Sequence, residues 1–457
     1  MKGVDIMGLE DSGYKDTLFK KLTSAGIEMG DRVRFKDDKK EIEGIIMPRS
    51  QIGADAHHLV LKLDSGYNLG LKVRDNTTLK KVKPRKKRVV SSEAGALKQE
   101  DPNLPHVSVL STGGTIASKV DYLTGAVNPA LTAQDLYQSV PELKEHARID
   151  AKVLLSELSE NIEPKHWSKI VRAVAKEIRK GVDGVVVAHG TDTLGLTSAA
   201  LSFALQNLPV PVALVGSQRS SDRPSSDASM NLIGAVELVG RSDIAEVLVV
   251  MHAETDDSYV YAHRGTRVRK LHTSRRDAFR TVNDYPILKG EGKNIVEISA
   301  PLLRRNSKRK LQVKPRFEER VGLVKTYPGI SADIVDHLVD KNYRGIIIEG
   351  SGLGHAPTGI NSAIEHAIES GLVVAMASQC IFGRVDMNVY RSGVELLDLG
   401  VIPCEDMLPE TALVKLMWLL ANRKELDDVK SDLVKPMVGE IEMRTEYGEY
   451  LDKQEVK

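Results

Sequence analysis

The sequence holds only two cysteines, Cys380 and Cys404, among 457 residues. Two thiols cannot build a disulfide framework and have no neighbouring metal ligands, so the chain reads as a protein of a reducing compartment with both cysteines in its core. An excess of one charge is missing too. Lys plus Arg number 64 against 63 Asp plus Glu, which leaves no molecule-wide field to steer nucleic acid or acidic ligands; any basic partner surface must be local. Long apolar runs are lacking: none approaches the roughly 18 residues of a membrane span. The opening MKGVDIMGLEDSGYKD puts acids where a secretory signal needs an apolar stretch. No membrane association and a cytoplasmic location are therefore expected. No GxxxxGK[ST] phosphate loop occurs, so nucleotide chemistry would have to come from a partner. There is no short-period repeat.

What is present suits a multidomain globular protein. A hydrophobic fraction of 41% can fill buried cores, and the length corresponds to about three domains. Residues 1–95 carry short alternating runs (GDRVRFK, EGIIMP, HLVLKL, YNLGLKV) separated by turn residues, which predicts a small β-barrel. It ends in the basic run KKVKPRKKR (Lys80 to Arg88), followed by a polar linker over 96–105.

From His106 the texture changes. HVSVLST, GVVVAHG, VALVGS and EVLVVMH are apolar runs that each end in a polar or glycine-rich turn, and helical periods lie between them. This predicts an α/β unit over 106–305 with a parallel sheet and crossover helices. A second alternation from Val321 predicts a smaller α/β unit within 306–440, with Gly290 to Arg320 as a charged connection. In such sheets ligands bind beyond the carboxyl ends of the strands.

Two of those strand ends carry candidate chemistry. In VSVLSTGGTIAS, Gly113 and Gly114 let the backbone turn tightly and place the Thr115 hydroxyl beyond the sheet edge. In VVVAHGTDTL, His189 and Gly190 make the turn and present Thr191 and Asp192. Each pattern has a plain alternative, a structural turn in the first and a helix N-cap in the second. Their joint occurrence at two apolar strand ends favours a site.

TGGTIAS (Thr112 to Ser118), HGTDT (His189 to Thr193), GSQRSSDRPSSDASMNL (Gly216 to Leu232) and RVRKLHTSRRDAF (Arg267 to Phe279) together resemble the bacterial-type L-asparaginase family, over about Leu104 to Arg423. The resemblance implies two α/β domains and an active site between the subunits of an intimate homodimer. It implies Thr115 as primary nucleophile and Thr191, Asp192 and Lys270 as a second catalytic group. A threonine hydroxyl is a poor nucleophile near neutral pH and needs a base, a role open to a desolvated lysine. Backbone amides of the turns at Gly114 and Gly190 are natural oxyanion donors. Ser159 falls where the family holds the substrate α-carboxylate, with Trp167 supporting the alignment; alternatively Ser159 caps the helix after Pro164. Glu160 stands where an amide side chain is expected, and the residue supplied by the neighbouring subunit is not identified. Tyr122 lies in a segment that the family uses as a lid, or is a turn aromatic. His189 reads as a structural strand-end residue rather than a general base. No metal or other cofactor is expected in the chain.

An N-terminal barrel and basic linker ahead of an asparaginase-like body resemble the D-subunit family of archaeal Glu-tRNA(Gln) amidotransferases, and this likeness covers essentially the whole chain. It implies that glutamine or asparagine is hydrolysed and ammonia is passed to an E-type subunit, which uses ATP and Mg to amidate Glu-tRNA(Gln) within a heterotetramer. The basic segments RVRK, TSRRDAFR and RRNSKRK would suit a partner or tRNA surface, or simply a solvated face. A free-standing asparaginase and a catalytically idle tRNA-binding subunit are the competing readings.

Overall fold

A computed structural model describes residues 12–47, 57–63, 68–82, 102–113, 118–120, 127–129, 136–137, 140–219 and 225–445. Thr115, Gly114 and Tyr122, and Lys83 to Arg88 of the basic run, lie outside these residues.

The N-terminal unit is rich in strands, as its alternation requires. β1 (Arg32–Lys36), β2 (Glu41–Ile46), β3 (His58–Lys62), β4 (Asn68–Lys72) and β5 (Thr78–Lys81) form an antiparallel sheet in the order β4-β3-β2-β1-β5. Val33 and Phe35 of β1 point inward, where they meet Leu59, Leu61 and Leu71. A helix that the alternating pattern does not announce, α1 (Asp16–Ser24), covers this core with Leu18 and Leu22. At the unit's basic end, Lys81 is paired with Asp31 at 2.6 Å.

The second unit is built on an eight-stranded sheet. Its strands are β6 (His106–Ser111), β7 (Arg148–Val153), β8 (Gly184–Ala188), β9 (Val212–Val215), β10 (Val247–His252), β11 (Val260–Arg264), β14 (Leu288–Glu291) and β15 (Asn294–Glu297). They lie in the order β15-β14-β11-β10-β9-β8-β6-β7. A separate hairpin pairs β12 (Val268–Lys270) with β13 (Phe279–Thr281). Strands β7-β6-β8-β9-β10 run parallel, as the buried apolar runs predict. The remaining three are antiparallel, a departure from the all-parallel expectation. The cause is loop length: residues 253–259 between β10 and β11 are too few for the dozen or so that a crossover needs. Part of the segment read as a charged connection, Gly290 to Glu297, is therefore sheet.

Helices cover both faces. α2 (Pro164–Ile178) and α3 (Leu194–Ala204) pack on one side, and α4 (Ala228–Arg241) on the other. The third unit has a parallel sheet of β16 (Val321–Lys325), β17 (Gly345–Gly350), β18 (Val373–Ser378) and β19 (Ile402–Pro403). α5 (Asp333–Asp340) and α6 (Asn361–Glu369) close one face. α7 (Pro409–Asn422) closes the other and docks on α3, where Trp418 stacks on Phe203 with ring centroids 6.1 Å apart. The two α/β units thus share a core. Cys404 is buried in it, whereas Cys380 is exposed just past the end of β18, against the expectation of two core cysteines. Among the described residues no helix is long and apolar enough to cross a membrane.

Candidate active site

The order β7-β6-β8-β9-β10 reads 2-1-3-4-5 along the parallel part of the sheet. The chain leaves β6 toward one edge and β8 toward the other, so the crevice beyond their carboxyl ends is a topological switch point. Register places the two glycine-bearing turns side by side there, because Ser111 at the end of β6 pairs with Ala188 at the end of β8. The Thr112 hydroxyl and amide both donate to the Ala188 carbonyl, at 3.1 and 2.9 Å, and clamp the first turn to the second.

The glycines are set by close approach. Gly113 has φ of +122°, and a Cβ there would come within 2.1 Å of the Glu157 carbonyl oxygen, so only glycine fits. A Cβ at Gly190 would sit 2.7 Å from Ser159 Cβ and 2.8 Å from its Oγ. Ser159 is thereby pressed against the second turn, and its carbonyl accepts from Thr193 Oγ1 at 2.7 Å. Ser159 is not the cap of α2: Glu163 occupies that position, with its N–H donating to His166 Nδ1 at 2.9 Å. Glu160 is exposed.

Lys270 reaches the same place from the end of the β12 strand. Its Nζ donates to Thr191 Oγ1 at 3.0 Å and to Asp192 Oδ1 at 2.8 Å. The lysine side chain is 16% exposed and that of Asp192 64%, so the ammonium is largely covered while the carboxylate faces the opening. Of the four residues singled out as catalytic, Lys270 thus joins Thr191 and Asp192.

His189 sits beneath them. Trp167 Nε1–H has only a proton to give and donates to Thr197 Oγ1 at 3.1 Å. The Thr197 hydroxyl then donates to His189 Nε2 at 3.0 Å, which leaves Nδ1–H to donate to the Gly190 carbonyl at 2.7 Å. Burial pushes the imidazole down to about 4. It is a neutral strut under the Gly190 turn, in keeping with the structural reading.

Several supporting residues escaped the sequence reading. Asp227 is fully buried and accepts from Ser217 Oγ, the amides of Gln218 and Arg219, and Asn231 Nδ2 at 2.9 to 3.0 Å. It folds the turn after β9 onto the start of α4, beside Gly216, where a Cβ would meet Thr191 Cγ2 at 2.7 Å. Asp227 and Asn231 stand in the motif Gly216 to Leu232, where an Asp and an Asn four apart at a helix start are the signal of their pairing. The hairpin that carries Lys270 is gripped by the third unit. Arg267, with no exposed surface, pairs with Asp406 at 2.8 Å and donates from Nε to the Gly439 carbonyl at 2.8 Å. Arg269 pairs with Glu410 at 3.2 Å, and Thr411 donates to the Thr266 carbonyl. Burial raises the Glu410 carboxyl against the pull of Arg269.

Most arginines of RVRK, TSRRDAFR and RRNSKRK are engaged by groups of the chain itself. Arg275 and Arg280 both pair with Asp277, and Arg276 pairs with Asp257. Arg304 pairs with Glu297, while Arg305 and Arg309 cap backbone carbonyls at Ser242 and Leu208. Arg275, Arg276, Arg280 and Arg304 are thus paired with carboxylates, whereas Lys308 and Lys310 stay exposed.

Comparison with known proteins agrees with this architecture. Family models match as Asparaginase, N-terminal over residues 106–302, Glutaminase/Asparaginase C-terminal domain over 320–431 and GatD N-terminal domain over 27–82. Among solved structures, the thermostable L-asparaginase from Thermococcus kodakarensis superposes with a TM-score of 0.67 at 32% identity, covering 74% of this chain and 100% of that one. L-asparaginase I from Vibrio cholerae gives 0.65 at 30% identity, with 74% and 100% covered. Over nearly the whole chain, the glutamyl-tRNA(Gln) amidotransferase D-subunit of Pyrococcus abyssi is 52% identical, covering 94% of this chain and 98% of its own length. That of Metallosphaera sedula is 47% identical, with 94% and 97% covered. Full-length identity of this order, with the strand-rich N-terminal unit matched as well as the asparaginase-like body, places the chain in the D-subunit family of glutamyl-tRNA(Gln) amidotransferases.

Proposed function

We propose that this chain is an amide-hydrolysing subunit that frees ammonia from glutamine or asparagine for the conversion of Glu-tRNA(Gln) to Gln-tRNA(Gln). The observation that carries the reading is the contact of Lys270 Nζ with both Thr191 Oγ1 and Asp192 Oδ1 at the switch point of the sheet.

The chemistry divides into two steps. Thr115 attacks the side-chain amide carbon, and its proton passes through Thr191 and Lys270 to the departing nitrogen, which leaves as ammonia. Water then cleaves the acyl ester to give glutamate or aspartate. Asp192 holds Lys270 in place and, being the exposed member, binds the substrate's α-ammonium, which weakens its own pull on the lysine. Ser159, beside the Gly190 turn, meets the α-carboxylate, and backbone amides at Gly114 and Gly190 face the developing oxyanion. In this reading Tyr122 takes the lid role that the family resemblance implies. The chain needs no metal or cofactor of its own for these steps.

The relatives are named as one subunit of a larger enzyme. The same arrangement is proposed here: a homodimer of this chain bound to an E-type subunit in a heterotetramer, in the cytoplasm, with ATP and Mg used by that partner. The competing free-standing asparaginase leaves the N-terminal unit without a task. Ammonia release from glutamine and asparagine, measured with the chain alone and then with the partner subunit, ATP and Glu-tRNA(Gln), separates the two. A steep rise only in the full mixture is the expected outcome; fast turnover by the chain alone, indifferent to tRNA, would establish the free-standing enzyme.

A further inference from the structure

A row of cations without carboxylate partners lies on α2. Its buried face is apolar, with Trp167, Ile170, Val171, Val174 and Ile178 against the sheet. Its solvent face carries Lys165, Lys169, Arg172, Lys176 and, at the carboxyl end, Arg179 and Lys180, all exposed. The helix's one acid, Glu177, is buried and already holds Lys152 and Lys180 at 2.7 Å. Lys165 pairs with Glu163 at the helix start. Lys169, Arg172, Lys176 and Arg179 have no carboxylate partner among the described residues. Like charges at spacings of three and four repel across a helix face, so stability does not explain the array.

From the geometry we infer that this face of α2 holds the sugar–phosphate backbone of a structured RNA, a tRNA under the function proposed above, on which the inference rests. From Lys165 to Arg179 the stripe runs about 21 Å at helical rise. On one nucleic-acid strand that length spans on the order of six phosphates. The stripe borders an open groove of about 640 Å³, to which Arg316 adds positive charge; Glu318 and Arg320 there are paired with each other, and Glu319 is the remaining acid. An RNA suits this surface better than a protein. Lysine is depleted in protein interfaces and aromatic anchors are enriched, whereas the exposed positions of α2 offer cations and no anchor. Phosphate contacts by Lys and Arg are the rule for nucleic acids and carry no sequence preference.

The test replaces Lys169, Arg172, Lys176 and Arg179 together by Gln, a residue of similar helix propensity, in the full chain and in its complex with the partner subunit. Binding of a tRNA(Gln) transcript and of an unrelated tRNA is measured across a salt series. The expected result is about tenfold or greater weakening for both tRNAs, with the log–log salt slope reduced by about 3 to 4. Thermal midpoint and hydrolysis of free glutamine should stay as in the wild type. A companion variant with Gln at the scattered surface lysines Lys293, Lys308 and Lys341 should leave binding and slope unchanged. Unaltered affinity and slope in the α2 variant would overturn the inference. So would loss of the partner subunit with RNA affinity of the chain intact, which would make α2 a protein contact. Because the readout is binding, a wild-type chain without amide hydrolysis would defeat the functional reading while leaving this result decisive.

Discussion

The two parallel sheets end differently although they are built alike. In the second unit, β6 and β8 finish in turns whose glycines pack against Glu157 and Ser159, and the Asp192 side chain beside them is exposed. In the third unit the corresponding strand ends are tied to one another. Gln379 Nε2 donates to the Thr326 carbonyl at 2.6 Å and to the Glu349 carbonyl at 3.0 Å. Thr326 Oγ1 donates to the Glu349 carbonyl, Lys325 pairs with Glu349, and Ser378 Oγ donates to the Gly352 carbonyl. Polar groups that satisfy each other hold a fold; polar groups left facing a crevice are available to a ligand. Within the chain, the third unit instead acts through Asp406, Glu410 and Thr411, which fix the hairpin that delivers Lys270.

If that division holds, the largest single effect should come from the grip on the hairpin. Arg267→Met leaves Asp406 as a buried carboxylate without its cation, so chemical denaturation should show a loss of about 3–5 kcal/mol. A loss below about 1 kcal/mol would mean that the grip is ornamental.

Acid should act on the second unit through His189. Its folded value near 4 lies below the ordinary 6.5, so the unfolded chain binds the proton more readily between those values. The contribution is complete above about pH 6.5 and is lost as pH falls toward 4, amounting to about 3 kcal/mol. His263, also buried and pushed down to about 3, steepens the same limb. Denaturation midpoints followed from pH 7 to pH 4 should show this decline, flattened but not abolished in His189→Gln. An unchanged slope in that variant would contradict the neutral strut.

The smallest effect belongs to the tied strand ends of the third unit. Gln379→Ala removes one amide from the Thr326 and Glu349 carbonyls and should cost about 1 kcal/mol. A much larger loss would mean that the ties are less redundant than they look.

Much of this is legible in the sequence because it is local. Apolar runs ending in Gly113 or in His189-Gly190 mark strands and turns, Thr191 and Asp192 follow from the joint occurrence of the two turns, and Lys270 is reached through the family resemblance. What joins them is not local. Lys270 and Thr191 are 79 residues apart, and only strand order brings Ser111 beside Ala188. Charge misleads in both directions for the same reason. RVRK and TSRRDAFR look like a surface because Asp406, Glu410 and Asp257, which engage Arg267, Arg269 and Arg276, lie outside both segments. The stripe on α2 looks like nothing, because helical spacing scatters its cations among apolar residues. Asp227 does not stand out as a buried carboxylate because its donors are mostly backbone amides and a serine, which leave no pattern.

The central claim is that Thr191 and Lys270 act as one proton-carrying unit. Ammonia release from glutamine in the complete mixture should be measured for Thr191→Ala, Lys270→Ala and the double variant. Each single change is predicted to lower the rate by at least about a thousandfold, with the double scarcely worse, as for groups working as a unit. Turnover retained in either single variant, or losses that simply multiply in the double, would contradict it.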